Sequence, residues 1–142
     1  MASRRRRSKR PNEVFLSYSH KDTAFIVRLA NALRDHGIRV WYSKRHIAGP
    51  QWLDEIGVAR ERCDWILIAL TPDAVRSKWV KREVTAALID DRYDEHIVPL
   101  LVKPCRPEAL AWPLAGFQRI GFKSLKQGIA ELLRLWGIDD DS

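Results

Sequence analysis

Short runs of apolar residues alternate along the chain with longer stretches in which apolar residues recur every three or four positions. The run "EVFLSYS" ends in small polar residues and predicts a buried strand over about 13–17. In "DTAFIVRLANALRDHG" the residues Phe25, Ile26, Leu29 and Leu33 fall at helical spacing, with Asp22 as N-cap and Gly37 as stop. "IRVWY" predicts a second strand over 38–42, and the Gly-Pro pair in "SKRHIAGPQ" predicts a loop. A helix follows in "WLDEIGVARERC", with Leu53, Ile56 and Ala59 facing inward. "DWILIAL", 64–70, is apolar without interruption, as in a parallel strand covered on both faces.

The next segment, "TPDAVRS", reads as a turn or short helix with Pro72 at a first helical position. In "SKWVKREVTAAL" Ser77 is the expected N-cap, and Val80, Val84, Ala87 and Leu88 form the core stripe. Trp79 and Glu83 share a different stripe and are i,i+4 neighbours. "HIVPLLV", 96–102, predicts a fourth strand, which Pro99 would push to a sheet edge. "FQRIGF" predicts a short fifth strand. "LKQGIAELLRLWG" predicts a closing helix with Leu125, Ile129, Leu132, Leu133 and Trp136 inward.

Strand and helix alternate throughout, which implies an α/β fold with a parallel sheet and helices on both faces. Five strands point to a flavodoxin-like order, 2-1-3-4-5. Ligands of such sheets bind beyond the carboxyl ends of the strands, where the strand order reverses. The segments at those ends are 17–20, 43–52 and 71–79, and the helix carrying Trp79 and Glu83 starts where they converge.

Composition changes this picture at the termini. The chain has 142 residues, six tryptophans, 46% hydrophobic residues and a net charge of +7, which suits one folded domain. Six of the 25 basic residues lie in 1–11, "MASRRRRSKRP", leaving 19 against 18 acids elsewhere. The expected organisation is a disordered basic arm over 1–11, a nearly neutral domain over 12–137 and an acidic tail over 138–142. Clustered arginines offer a phosphate-binding arm, so any nucleic-acid contact is expected through that segment alone. Cys63 and Cys105 show neither metal spacing nor a disulfide framework and read as reduced thiols of a cytoplasmic protein. No apolar run reaches the roughly 18 residues of a membrane helix. His20, His36, His46 and His96 show no metal spacing. His36 is expected at a helix end and His96 at a strand entry. A Gly-rich dinucleotide fingerprint and a phosphate loop are both missing.

On spacing alone, Glu83 is either a surface charge favoured by the helix dipole or a working acid beside an aromatic wall. "VFLSYSHKD", "WYSKRHIAGPQWLDEI" and "SKWVKREVTAAL" together resemble the three boxes of Toll/interleukin receptor (TIR) domains, over residues 12 to about 136. The most specific elements are S-Y-S after the first strand and W-x-x-x-E opening the helix after the third. The resemblance implies one of two activities. Some members, including the bacterial-type branch this chain looks like, cleave the nicotinamide–ribose bond of NAD in immune or cell-death signalling. They yield nicotinamide and ADP-ribose or a cyclic ADP-ribose species. Others are non-enzymatic scaffolds that bind further TIR domains through the loop after strand two.

The enzymatic reading implies Glu83 as the catalytic residue and NAD as substrate, with no further cofactor and no metal. Tyr18, Ser19, His20, Ile47, Gly49, Trp52 and Trp79 are then substrate contacts. Arg45, His46, Ile47, Gly49 and Pro50 are implied at contacts between self-associating protomers. The chain departs from the family in having Ser43, then Lys44, Arg45 and His46, where an acid often follows the strand-two aromatic. The resulting loop is basic and suits a pyrophosphate.

A single carboxylate is chemically sufficient for this cleavage. Ordinary glycosidases use two, one of them to protonate the leaving oxygen. Nicotinamide in NAD already carries positive charge on its glycosidic nitrogen and leaves neutral. The remaining task is to stabilise the ribosyl oxocarbenium ion, which one nearby anion does.

Overall fold

The computed structural model describes residues 10–43 and 50–138, and the side chains of residues 50–52 fall outside the description. The strands are β1 (Val14–Ser17), β2 (Val40–Tyr42), β3 (Trp65–Leu70), β4 (Ile97–Leu101) and β5 (Ile120–Gly121). The helices are α1 (Thr23–Asp35), α2 (Pro50–Arg62), α3 (Pro72–Val75), α4 (Lys78–Leu88), α5 (Pro107–Leu110) and α6 (Leu125–Leu135). All strand pairs are parallel, in the order β2-β1-β3-β4-β5 expected from the sequence.

Alternation along the strands divides the core in two. Val14 and Leu16 of β1, with Trp65, Leu67 and Ala69 of β3, pack against Ile26, Leu29 and Leu33 of α1, Leu132 and Leu133 of α6 and Trp136 at the C-cap of α6. Phe15, Ile66, Ile68 and Leu70 face the other way, against Ile56 and Ala59 of α2 and Val80, Val84 and Ala87 of α4. Every residue of β3 is buried, hence its unbroken apolar run. Fully burying each such aliphatic side chain is worth roughly 1.5–3 kcal/mol.

Local signals fix the helix ends. Ser77 Oγ accepts from Val80 N at 3.1 Å, Ser124 Oγ from Gln127 N at 3.1 Å and Thr71 Oγ1 from Ala74 N at 3.0 Å. Such caps contribute about 1 kcal/mol each. Gly37 ends α1 at φ +80°, a backbone region open to glycine at little cost.

Three expectations are corrected. Leu53 is 53% exposed, and among the described side chains of α2 Ile56 is the first that is buried. Asp22 occupies the N-cap position of α1 without capping it; its buried carboxylate accepts from Thr71 Oγ1 at 2.6 Å, tying two strand-end loops together. Pro99 lies in an interior strand. His96 C=O accepts from Ile66 N and Val102 N donates to Leu70 C=O, so even-numbered residues of β4 face β3. Odd-numbered ones face β5, as Leu101 C=O accepting from Phe122 N shows. Pro99 therefore lacks its N–H on the β5 side, where pairing starts only at Leu100↔Ile120. The missing donor accounts for the two-residue length of β5, shorter than the run "FQRIGF".

Most of the arm (1–9) and of the tail (139–142) lies outside the described residues. Arg10 donates to the carbonyls of His36 and Gly37, and Ile138 packs on the core. Gly128 of α6 faces Phe122 so closely that a Cβ would lie 2.3 Å from the ring. Gly128→Ala is expected to cost about 1–3 kcal/mol by overpacking, despite its better helix propensity, read as a lower melting temperature.

Candidate active site

Ser17 is the last residue of β1, and strand alternation turns it toward the α2/α4 side of the sheet. Glu83 sits in the second turn of α4, flanking the core stripe Val80–Val84–Ala87. The two meet at the carboxyl end of β1. Ser17 Oγ donates to Glu83 Oε1 at 2.6 Å, and Trp79 Nε1 donates to Glu83 Oε2 at 2.9 Å. Each carboxylate oxygen thus has its own donor, which fixes the rotamer and the orientation of the charge. Ser17 is fully buried, Trp79 is partly buried at the rim of the apolar cluster, and the Arg82 guanidinium carbon lies 6.0 Å from the centroid of its ring.

Burial raises the Glu83 pKa from the ordinary 4.5 to about 7, against the opposing influence of Ser17, Trp79 and, through space, Arg60. Glu83 keeps limited exposure while its carboxyl group is largely stripped of water. Arg60 of α2 pairs with Asp90 at 3.1 Å, and its buried Nε has no hydrogen-bond partner among the described residues. The site therefore holds an oriented carboxylate that is half-charged near neutrality, and any cation beside it will favour ionisation. A perturbed, oriented acid at the carboxyl end of a strand is a candidate for chemistry.

The other predicted site residues are placed as follows. The Tyr18 ring is buried in the α1/α6 core, and its hydroxyl donates to the Ser43 carbonyl at the end of β2. The structure does not bring it to the carboxylate; it anchors the β2 end instead. Ser19 Oγ accepts from Lys21 N at 3.2 Å, capping the 3-10 turn His20–Asp22. His20 is exposed, with its ring edge-on to Tyr18 at 5.7 Å. Arg45, His46, Ile47 and Gly49 lie outside the described residues, as do the side chains of Pro50 and Trp52.

Ser17 was missing from the expected contacts. Its signal is parity along β1, since it is two residues beyond Phe15 and on the same side. His36 and His96 take the expected positions: their Nδ1 atoms donate to Ala32 C=O (3.0 Å) and Asp64 C=O (2.8 Å). A cavity of about 590 Å³ lies at the opposite end of the sheet from Glu83, among Trp65, Ile97, Gln118, Glu131 and Arg134.

A five-stranded 2-1-3-4-5 parallel sheet with a Trp–Glu pair in the first turns of α4 is the α/β arrangement expected of a TIR domain. The sequence model described as "TIR domain" matches residues 14–133, and the chain belongs to that family. A relative from Methanobrevibacter olleyae, named "Probable 2' cyclic ADP-D-ribose synthase TcpO", is 24% identical over 96 residues. That match takes in 66% of this chain and only 28% of the relative's length.

Among solved structures, the TIR domains of the activated Roq1 resistosome, which directly recognises the pathogen effector XopQ, superpose with a TM-score of 0.69 at 18% identity. The superposition covers 87% of this chain and 98% of that one. The TIR domain of the Toll-related receptor TRR-2 from Hydra magnipapillata gives 0.64 at 17%, covering 86% and 88%. The TIR-STING receptor from C. gigas, in complex with 2',3'-cGAMP, gives 0.65 at 21%, covering 82% and 38%. At such identities the likeness establishes the fold. Among the described residues no helix is long and apolar enough to cross a membrane.

Proposed function

We propose that this TIR domain is an NAD glycohydrolase in which Glu83 is the catalytic carboxylate. The observation that carries this reading is the double anchoring of Glu83 by Ser17 and Trp79 at the carboxyl end of β1. The name of the Methanobrevibacter relative, a synthase of a cyclic ADP-ribose, supports the substrate class. In the reaction the C1'–N bond of the nicotinamide riboside breaks, and its electron pair returns to the nicotinamide nitrogen. The departing ring is neutral and needs no acid. Positive charge develops on the ribose, and the oriented Glu83 carboxylate stabilises it without having to reorganise. Water then adds at C1', or a nucleophile of the same ADP-ribose closes a ring. The proton released goes to Glu83, whose proton affinity burial has raised. The Trp79 indole walls the carboxylate off from water and strengthens its field. Lys44 and Arg45 of the basic loop after β2 supply positive charge for the pyrophosphate. NAD is a substrate here, and the chemistry calls for neither a metal nor a second cofactor.

The test is nicotinamide release by the purified chain at high protein concentration, since weak self-association is expected to accompany activity. kcat/KM should rise with pH through about 7, reporting ionisation of Glu83 in the free enzyme. In kcat the same limb should lie at lower pH, because the bound nicotinamide cation favours the carboxylate. Ser17→Ala removes a hydrogen bond that stabilises the ionised form. A hydrogen bond to a charged group is worth about 1.5–3 kcal/mol, so the acid limb should move upward by about one to two pH units. An unmoved limb would separate Ser17 from the chemistry.

A further inference from the structure

The outer faces of α2 and α4 carry opposite charge, and each has an apolar centre. On α4 the residues Lys78, Lys81, Arg82, Thr85 and Ile89 fall on one stripe and line a groove of about 510 Å³ with Ala86. Ile89 is 79% exposed, and among the described residues Lys78, Lys81 and Arg82 take part in no ion pair. On α2 the residues Asp54, Val58 and Glu61 form the outward stripe, flanked by Leu53 and Glu55, all exposed. Arg62 holds Glu13 at 2.7 Å and Arg60 holds Asp90, so neither pairs with these acids, while Arg92, which donates to the Glu61 carbonyl, lies close enough to feel the Glu61 charge. One helix thus offers an apolar centre with an acidic rim, and the other an apolar groove with a basic rim.

We propose that the α4 groove is a docking surface for α2 of a second copy of this chain. Val58 and Leu53 cover Ile89 and Ala86, while Asp54 and Glu61 face Lys78, Lys81 and Arg82. Within one copy the two stripes point outward side by side and cannot meet, so the complementarity is satisfied only between molecules. This contact is distinct from the one expected through the 43–52 loop. It adjoins the Glu83 flank of α4, because Arg82 both lines the groove and lies over Trp79.

Sedimentation equilibrium of the full chain, from micromolar to near-millimolar concentration at low salt, tests the contact without reference to catalysis. The unmodified chain should associate, and raising salt from 50 to 500 mM should weaken association by about tenfold or more as the charges are screened. The variant Lys78→Glu/Lys81→Glu and the variant Asp54→Lys/Glu61→Lys should each sediment as monomers. An equimolar mixture of the two should associate again, because each then supplies the face that the other lacks. Circular dichroism checks that both variants are folded. A chain that remains monomeric throughout, association indifferent to salt, or a mixture of folded reversed variants that stays monomeric would overturn the proposal.

Discussion

Replacing Glu83 by Gln is expected to slow nicotinamide release from NAD by about a hundred- to a thousandfold. This corresponds to about 3–4 kcal/mol of transition-state stabilisation, the scale measured when one preorganised electrostatic group is removed from an enzyme site. The substitution isolates charge from shape. Gln can present its oxygen to Trp79 Nε1 and its amide N–H to Ser17, whose hydroxyl rotates to accept. Size, packing and both anchoring hydrogen bonds survive, and only the anion is lost. The loss should appear in kcat and in kcat/KM together, because the charge being stabilised exists only on the way to the oxocarbenium ion. A loss confined to KM would instead mean that Glu83 holds substrate without helping the bond to break.

The same substitution is expected to make the folded protein more stable at pH 8, by up to about 3 kcal/mol. Burial raises the Glu83 pKa from 4.5 to about 7, so the native state holds this proton more tightly than the unfolded chain does. Each pKa unit is worth about 1.4 kcal/mol. The sign follows from linkage: stability falls as pH rises from about 4.5 to 7, and the full penalty is present above 7. Glu83→Gln has no such penalty. Its advantage should therefore be largest at pH 8 and vanish near pH 4, where both side chains are neutral. Urea unfolding at the two pH values reads the difference. An equal effect at both would mean that Glu83 ionises as an ordinary surface acid. Lower activity together with higher stability is the expected signature of a site that keeps a charge where the fold alone would not.

Much of the architecture was legible because it rests on local pattern. The unbroken run Trp65–Leu70 needs apolar cover on two faces, and only an interior parallel strand provides it. Ser77 and Ser124 announce helix starts through bonds made within their own first turns. The pairing of Trp79 with Glu83 follows from one helical turn of spacing.

What was not legible depends on partners distant in sequence. Ser17 reaches Glu83 across 66 positions, and Asp22 was read as a helix cap because its real partner, Thr71, is 49 positions away. Pro99 suggested an edge strand by a rule that considers the residue alone. Whether a missing N–H matters depends on which neighbour it faces, and that is set by the ladder. Leu53 fits the periodicity of α2, but periodicity does not tell where the surface beneath a helix ends. Tyr18 shows the same limit, since its place beside S-Y-S says nothing of which face its ring takes.

Cleavage of NAD by this domain is read out by mass spectrometry of the products after the purified chain is incubated with NAD at high protein concentration and pH 8. Free nicotinamide should appear in equimolar amount with ADP-ribose or a cyclic ADP-ribose species. Intact NAD after prolonged incubation of folded, associated protein would contradict it.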